Sequence, residues 1–183
     1  MVVGGALWAL FGVFEMLKPW GVAEVYRPDL GYELVTDRAL YVLYGLPGTA
    51  ALILCGLGLR ALLRGRAGRL VSLGRAFAYG ALAAGALSGV GLAIGSAPLF
   101  FGPVALGMLV LGAAACFSSA NAQGADRALL LVTGALGLFT LALRPLVYAV
   151  QVIPAAGGAA AIALFGLGWV TLGLRALRGG GST

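Results

Sequence analysis

Residues 70–95 read LVSLGRAFAYGALAAGALSGVGLAIG and carry one charged side chain, Arg75, in 26 positions. A helix that crosses a lipid bilayer needs about 20 consecutive, mainly apolar residues. This stretch therefore predicts a membrane-spanning helix. Arg75 lies about one turn from its start, where a long side chain can extend its guanidinium group to the membrane surface.

Five further apolar runs lie on either side of this stretch, separated by charged or Gly/Pro/Ser-containing breaks. They cover residues 2–17, 39–63, 98–119, 128–150 and 153–174. The expected fold is an all-α integral membrane protein, with six transmembrane helices in one domain at 1–178 and a flexible tail at 179–183. No Lys or Arg precedes the run at 2–17 and no clear Ala-x-Ala follows it, so a retained helix is expected there rather than a signal peptide.

The composition agrees with a membrane protein. Hydrophobic residues make up 61% of the chain and charged residues 10%, against about 45–50% and about 25% in soluble domains. The net charge of +6 does not indicate nucleic-acid binding, because the basic residues lie at the ends of apolar runs rather than along a solvated face. Eleven of the twelve basic residues are Arg, and Ala, Gly and Leu are abundant, which is typical of a GC-rich bacterial genome. The expected location is a bacterial inner or plasma membrane.

The orientation of the chain follows from its basic residues, which favour the cytoplasmic side. With six spans, both termini and two of the connections share one side. That side carries Arg60, Arg64, Arg66, Arg69, Arg75, Arg127, Arg175 and Arg178. The other side carries Lys18, Arg27, Arg38 and Arg144. Both termini are therefore expected in the cytoplasm. In this threading Tyr41 and Tyr44 are expected at the outer boundary of the membrane, which tyrosine favours.

Five of the six acidic residues lie in or beside the segment 18–38, which becomes the one sizeable external loop in this threading. The charged residues of this loop are Glu24, Arg27, Asp29, Glu33, Asp37 and Arg38. Pro28 and Gly31 flank Asp29 and favour turns. A structured loop is expected, with room for a short interfacial helix.

Glycines in residues 80–95 are the strongest packing signal. Helix association in lipid depends on small residues that let backbones approach. Gly85 and Gly89, and likewise Gly91 and Gly95, have small-xxx-small spacing. This third helix is expected to be the central one, and a glycine-lined permeation path is the functional alternative.

Glu15 and Arg144 are the informative ionisable residues within the apolar runs, because such residues are costly in lipid and mark function by default. Both fall in the outer leaflet of this threading. Three interpretations stay open: each side chain reaches the surface separately, the two form a structural ion pair, or they belong to a polar site for an external ligand. The neighbours expected for that site are Tyr44, Tyr148 and Gln151.

Catalytic chemistry is poorly represented. The chain has no His, and its two cysteines, Cys55 and Cys116, lie singly in apolar runs and are expected to be small buried hydrophobes. No Walker-type loop ends in Lys-Ser/Thr. No catalytic, cofactor-binding or metal-binding residues are expected.

The leading hypothesis is a non-catalytic membrane module that binds a lipid or a membrane-protein partner. A small-solute transporter or channel with a polar site near Glu15 and Arg144 is the first alternative, and a membrane enzyme is the second. The expected partners are the lipid bilayer, a bound lipid, another membrane protein or a second copy of the chain, and not nucleic acid.

Overall fold

The computed structural model describes residues 1–17, 24–27, 32–35, 37–148 and 155–179. Only the backbone is described at 24–27, 32–34, 121, 141–148, 155–156 and 179. The helices are α1 (Val2–Leu17), α2 (Arg38–Leu62), α3 (Arg69–Ile94), α4 (Ala97–Ser118), α5 (Gly124–Tyr148) and α6 (Ala155–Gly179). A 3-10 turn, Ser119–Asn121, lies between α4 and α5, and two short strands, β1 (Glu24–Arg27) and β2 (Tyr32–Val35), lie between α1 and α2. The predicted all-helical chain of six helices is confirmed. The tail predicted at 179–183 lies outside the described residues beyond Gly179, where α6 ends.

The membrane character of the chain is also confirmed at the level of single helices. Among the described residues, four helices are long and apolar enough to cross a bilayer: α2, α3, α4 and the part of α6 at Gly157–Arg178. Helix α1 is apolar but has 16 residues, which at 1.5 Å per residue gives about 24 Å. The hydrocarbon core of a bilayer is about 30 Å thick. These lengths and compositions indicate a membrane protein.

The helices pack in chain order around a closed ring. Each helix contacts the next one along the chain, and α1 packs extensively against α6 to complete the ring. Helix α2 also contacts α4 and α6, so four helices surround it. The prediction that α3 is central is wrong, because its extensive contacts are with α2 and α4 alone. Its other face, with Leu87, Val90 and Ile94, is exposed.

Small residues bring α1 and α6 together. A Cβ atom added at Gly5 would lie 2.5 Å from the backbone nitrogen of Val170, and one at Gly12 would lie 2.6 Å from that of Ala163. These separations leave no room for any side chain, so the two backbones touch directly at both positions. Such close approach allows many weak dispersion contacts, which are the main attraction between helices in lipid.

Aromatic side chains fill the space between the helices. Trp8 of α1 meets Phe11 and Phe165 edge to face, with ring centroids 5.9 and 5.6 Å apart. Phe100 of α4 continues this cluster to Phe11 and to Tyr41, at 6.3 and 5.5 Å. Tyr41 is 1% exposed and lies in the first turn of α2, so its side chain contacts protein, and its position at the membrane boundary stays a prediction. It lies on the face of α2 that packs against α4, where its ring is buried between helices.

Two strands are present between α1 and α2, in the segment where a structured loop is expected. They pair antiparallel, with Glu24 opposite Val35 and Tyr26 opposite Glu33, and β2 lies against α4. Val25, Tyr26 and Tyr32 are residue types that favour strands. The residues between them, 28–31, include the Pro, Asp and Gly of the turn signal and lie outside the described part.

Candidate functional site

Glu15 lies in the last turn of α1 and is 9% exposed, so it is one of the buried polar side chains of the described chain. A carboxylate costs several kcal/mol to bury unless its charge is compensated. Its neighbour Phe14 meets Tyr44 of α2 edge to face, with centroids 5.3 Å apart. The structure therefore brings Tyr44, one of the expected site residues, to the same end of α1 as Glu15.

The other expected site residues are not described in atomic detail. Arg144 and Tyr148 lie in the backbone-only part of α5, and Gln151 lies outside the described residues. Helix α1 packs on α2 and α6, whereas α5 packs on α4 and α6. The pairing of Glu15 with Arg144 therefore stays a prediction.

Two charged residues of the predicted external loop have local roles at helix ends. Asp37 is the N-cap of α2, where its Oδ1 accepts a hydrogen bond of 3.0 Å from the backbone nitrogen of Leu40. Arg38 donates from its guanidinium to the carbonyl oxygen of Ala93 in the last turn of α3. A cation near the carboxyl end of a helix stabilises the exposed carbonyl groups there. Glu24, Arg27 and Glu33 lie in the strands with only their backbone described, and Asp29 lies outside the described residues.

A polar pair lies deep between α2 and α3. The hydroxyl groups of Thr49 and Ser88 are 3.0 Å apart, and that of Ser88 also donates to the carbonyl oxygen of Gly85 at 2.9 Å. Thr49 is 5% exposed and Ser88 is fully buried. Each hydroxyl therefore has a partner inside the protein, which removes most of the cost of placing it among apolar groups.

Three other buried polar atoms have no hydrogen-bond partner in the described part of the chain: the indole Nε1 atoms of Trp8 and Trp169 and the Oγ1 of Thr133. Both indole rings contact Phe165. Thr133 lies against Gly168 of α6 so closely that a Cβ there would collide with its hydroxyl. An unsatisfied buried donor or acceptor costs about 1–3 kcal/mol, so packing rather than hydrogen bonding holds this region together.

The glycines singled out in α3 have different surroundings. A Cβ at Gly85 would lie 2.7 Å from Cγ1 of Ile53 in α2, and one at Gly91 would collide with the backbone of Leu99. Gly89 has ordinary clearance, 3.6 Å from Cγ2 of Thr49. Gly95 ends α3 in the left-handed conformation with φ of 73°. Close approach therefore occurs at Gly85 and Gly91, on the α2 and α4 sides respectively.

One end of the helix assembly is strongly basic. The end of α2, the start of α3 and the end of α4 meet there, since a Cβ at Gly74 would lie 3.1 Å from Oγ of Ser118. The exposed arginines at this end are Arg60, Arg64, Arg66, Arg69, Arg127, Arg175 and Arg178. Arg60 lies over the ring of Tyr79, 5.2 Å from its centroid, and Arg175 pairs with Asp126 across α5 and α6. Asp126 is the one acidic residue in the sequence from 38 to 183.

Metal binding has no support within the described residues, which hold no group of three or more His, Cys, Asp or Glu side chains that could bind an ion. Cys55 is buried and Cys116 half-buried, and both are free thiols. The prediction that they are buried apolar side chains therefore holds fully for Cys55 and partly for Cys116.

Comparison with known proteins gives no family. No protein-family model matches this chain, and neither does any curated protein or solved structure.

Several interacting residues were not predicted from the sequence. An Asp directly before an apolar run is an N-cap signal, and this signal could have identified Asp37 as the cap of α2. The Thr49–Ser88 pair and the Arg38–Ala93 bond join residues 39 and 55 positions apart. Their formation depends on how the helices are rotated against each other, and the sequence alone carries no direct signal for that.

Proposed function

We propose that the protein is a non-catalytic, multi-pass membrane module that binds a lipid or a membrane-protein partner on its lateral, lipid-facing surface. In this proposal it is a six-helix bundle of a bacterial plasma membrane, with both termini in the cytoplasm. The observation that carries the proposal is the hydrogen bond between Thr49 and Ser88. It pairs these two buried hydroxyl groups between α2 and α3 with each other, so they do not line a path for a solute.

A transport path needs polar groups that a solute or ion can reach near the middle of the membrane. Thr49 lies near the middle of α2 and Ser88 in the last third of α3, and their hydroxyl groups bond to each other. Thr133 is fully buried and lies against Gly168. In the described chain, these three hydroxyl groups of the helix interior therefore contribute to packing, which supports a binding module over a transporter.

The lipid-facing surface of the helices is the proposed binding area. Large apolar side chains are exposed on all six helices, including Val13, Leu57, Leu87, Leu106, Phe139 and Leu167. Lipid covers such surfaces in a membrane protein, and partner helices bind to them through shape and small residues. A bound molecule would therefore contact the protein laterally.

Native mass spectrometry of the protein released from gentle detergent tests this proposal. The expected result is a retained phospholipid, a second copy of the chain or a bound membrane protein. A uniform monomer that carries no lipid or protein, from several detergents, would contradict it.

A transporter with a polar site at Glu15 is the second candidate, and the burial of this carboxylate favours it. Solute and proton flux into dye-loaded proteoliposomes would be compared for the native protein, Glu15→Gln and a control variant, Asp126→Asn, whose carboxylate is exposed. Protein-dependent flux that is lost in Glu15→Gln and kept in Asp126→Asn would support transport. Flux equal to that of empty liposomes would exclude it for the solutes tested, and a lower melting temperature for Glu15→Gln alone would assign Glu15 a structural role.

A further inference from the structure

The connection between α2 and α3 is unusually basic and compact. Residues 64–69 read RGRAGR, and this segment is named the arginine loop here. Arg64, Arg66 and Arg69 are all exposed. Three guanidinium groups thus lie within six residues, at the shared end of two helices that are apolar and long enough to span a membrane.

The backbone of the arginine loop is a tight turn that only glycine permits at two positions. Gly65 and Gly68 have φ of 76° and 126°, in the region that L-residues with side chains rarely adopt. The backbone nitrogen of Arg64 donates to the carbonyl oxygen of Ala61 at 3.1 Å, and that of Arg66 to Leu63 at 3.4 Å. The turn keeps the three arginines close to the helix ends instead of letting the segment extend into water.

The charge of the arginine loop is not balanced by any carboxylate among the described residues. In the described chain no carboxylate pairs with Arg64, Arg66 or Arg69, and Asp126, the sole acidic residue after position 37, pairs with Arg175. Arg60, one helical turn before Arg64, adds a further positive charge above the ring of Tyr79. These exposed positive charges are therefore available to an external anion.

Exposed apolar side chains lie beside the arginines along the same two helices. Leu70 and Leu73 follow the loop on α3, and Leu57 precedes it on α2. A ligand that fits this arrangement has a negative head and an apolar tail next to it. Arginine matches a phosphate group especially well, because its planar guanidinium can donate two parallel hydrogen bonds to phosphate oxygens.

We infer that the arginine loop binds the phosphate headgroup of an anionic phospholipid, whose acyl chains lie along the exposed leucines of α2 and α3. This inference rests on the proposed function, since it names the lipid class and the place where it binds. A soluble acidic protein is a poorer fit, because it would leave Leu70 and Leu73 uncovered beside the bound charge. Clusters of basic residues next to a membrane span are a recognised means of binding anionic lipids.

The test is native mass spectrometry of the purified full-length protein titrated with phosphatidylglycerol or, separately, with phosphatidylcholine. The double variant Arg64→Gln/Arg66→Gln is compared with a matched control, Arg127→Gln/Arg178→Gln, which removes the same charge from the same end and keeps the Arg175–Asp126 pair. The native protein and the control are expected to prefer phosphatidylglycerol. The loop variant is expected to lose about thirty-fold in affinity for phosphatidylglycerol, which corresponds to about 1 kcal/mol per arginine near an anionic surface.

A second measurement on the native protein alone keeps the inference testable if a variant does not fold. Raising the salt concentration from 0.1 to 0.5 M shortens the range of exposed charge interactions. Phosphatidylglycerol binding is expected to weaken with salt, while phosphatidylcholine binding stays unchanged. Displacement of the lipid by an equal concentration of inorganic phosphate would overturn the inference, because it would show a site for free anions.

The outcomes separate this inference from the proposed function. Equal retention of both lipids by the native protein and the loop variant would overturn the arginine loop as the site and leave the lipid-binding module intact. An equal loss of phosphatidylglycerol affinity in the loop variant and in the control would also overturn it, because net charge rather than the loop would then govern binding. No retention of any lipid or partner by the native protein would contradict both.

Discussion

At the scale of single residues, two different properties of glycine matter in this protein. Gly12 is required for close approach, because the backbone of α6 occupies the space where its side chain would lie. Gly65 and Gly68 are required for their backbone conformation in the arginine loop. A Cβ atom added at Gly102, in contrast, would meet no neighbouring atom within 4 Å, although this glycine lies in the same kind of apolar helix.

Gly12→Ala is expected to destabilise the protein by about 1–3 kcal/mol, because the new methyl group would force α1 and α6 apart. The measurement is the melting temperature in detergent, followed by intrinsic tryptophan fluorescence, since Trp8 and Trp169 lie in the same interface. Gly102→Ala is the matched control and should leave the melting temperature unchanged or raise it slightly. Equal melting temperatures for the two variants would mean that the contact between α1 and α6 at Gly12 does not form.

At the scale of helices, polar bonds between neighbours support the packing of small and aromatic residues. Thr49 and Ser88 join α2 to α3, and Arg38 joins the start of α2 to the last turn of α3. Arg175 and Asp126 join α6 to α5, but their side chains are 47% and 54% exposed. An exposed pair contributes little because water screens its charges, so the buried hydroxyl pair is the one expected to matter for stability.

A double-mutant cycle of Thr49→Val and Ser88→Ala is expected to give a coupling energy of about 0.6 kcal/mol, the average for interhelical hydrogen bonds in double-mutant cycles of a membrane protein, and at most about 1.7 kcal/mol. The measurement is the free energy of unfolding in mixed micelles for the two single variants and the double variant. Thr171→Val serves as the control, because its exposed hydroxyl bonds to Leu167 in its own helix. Its combination with Ser88→Ala should be additive, and additivity of the Thr49 and Ser88 changes would contradict the bond.

At the scale of the whole molecule, charge is separated between the two ends. The arginines at the ends of α2 and α6 and the starts of α3 and α5 form one basic end, while the strands and most acidic residues belong to the connection between α1 and α2. Helix α3 alone has 26 residues, a length of about 39 Å. Its two ends can therefore lie on opposite sides of a bilayer.

Cysteines introduced on either side of α3, in the arginine loop and at the start of α4, test the proposed orientation. In a background of Cys55→Ala and Cys116→Ala, Arg66→Cys and Pro98→Cys would be labelled with a membrane-impermeant maleimide in right-side-out vesicles. Pro98→Cys is expected to react, and Arg66→Cys to react only after the vesicles are broken, because basic segments stay in the cytoplasm. The opposite pattern would reverse the orientation, and reaction at both positions in sealed vesicles would show that α3 does not span the membrane.

The sequence by itself determined the features that depend on local composition and period. These are the apolar runs that become helices, the membrane class, the separation of basic from acidic segments and the small residues that permit close packing. The observed helices extend beyond the predicted apolar runs where the run was ended at a charged residue. Helix α5 begins at Gly124 rather than 128, and α6 ends at Gly179 rather than 174. The strand pair was missed because its β-favouring residues are few and stand beside a turn signal.

The tertiary structure decided which residues meet. It made α2 the most surrounded helix, placed Tyr41 in the interior, paired Thr49 with Ser88 and brought Tyr44 to the end of α1 beside Glu15. In a chain that is apolar on nearly every face, hydrophobicity does not distinguish the face that packs from the face that meets lipid. The rotation of each helix is set instead by close shape fit between distant segments, and that fit exists only once the helices are assembled.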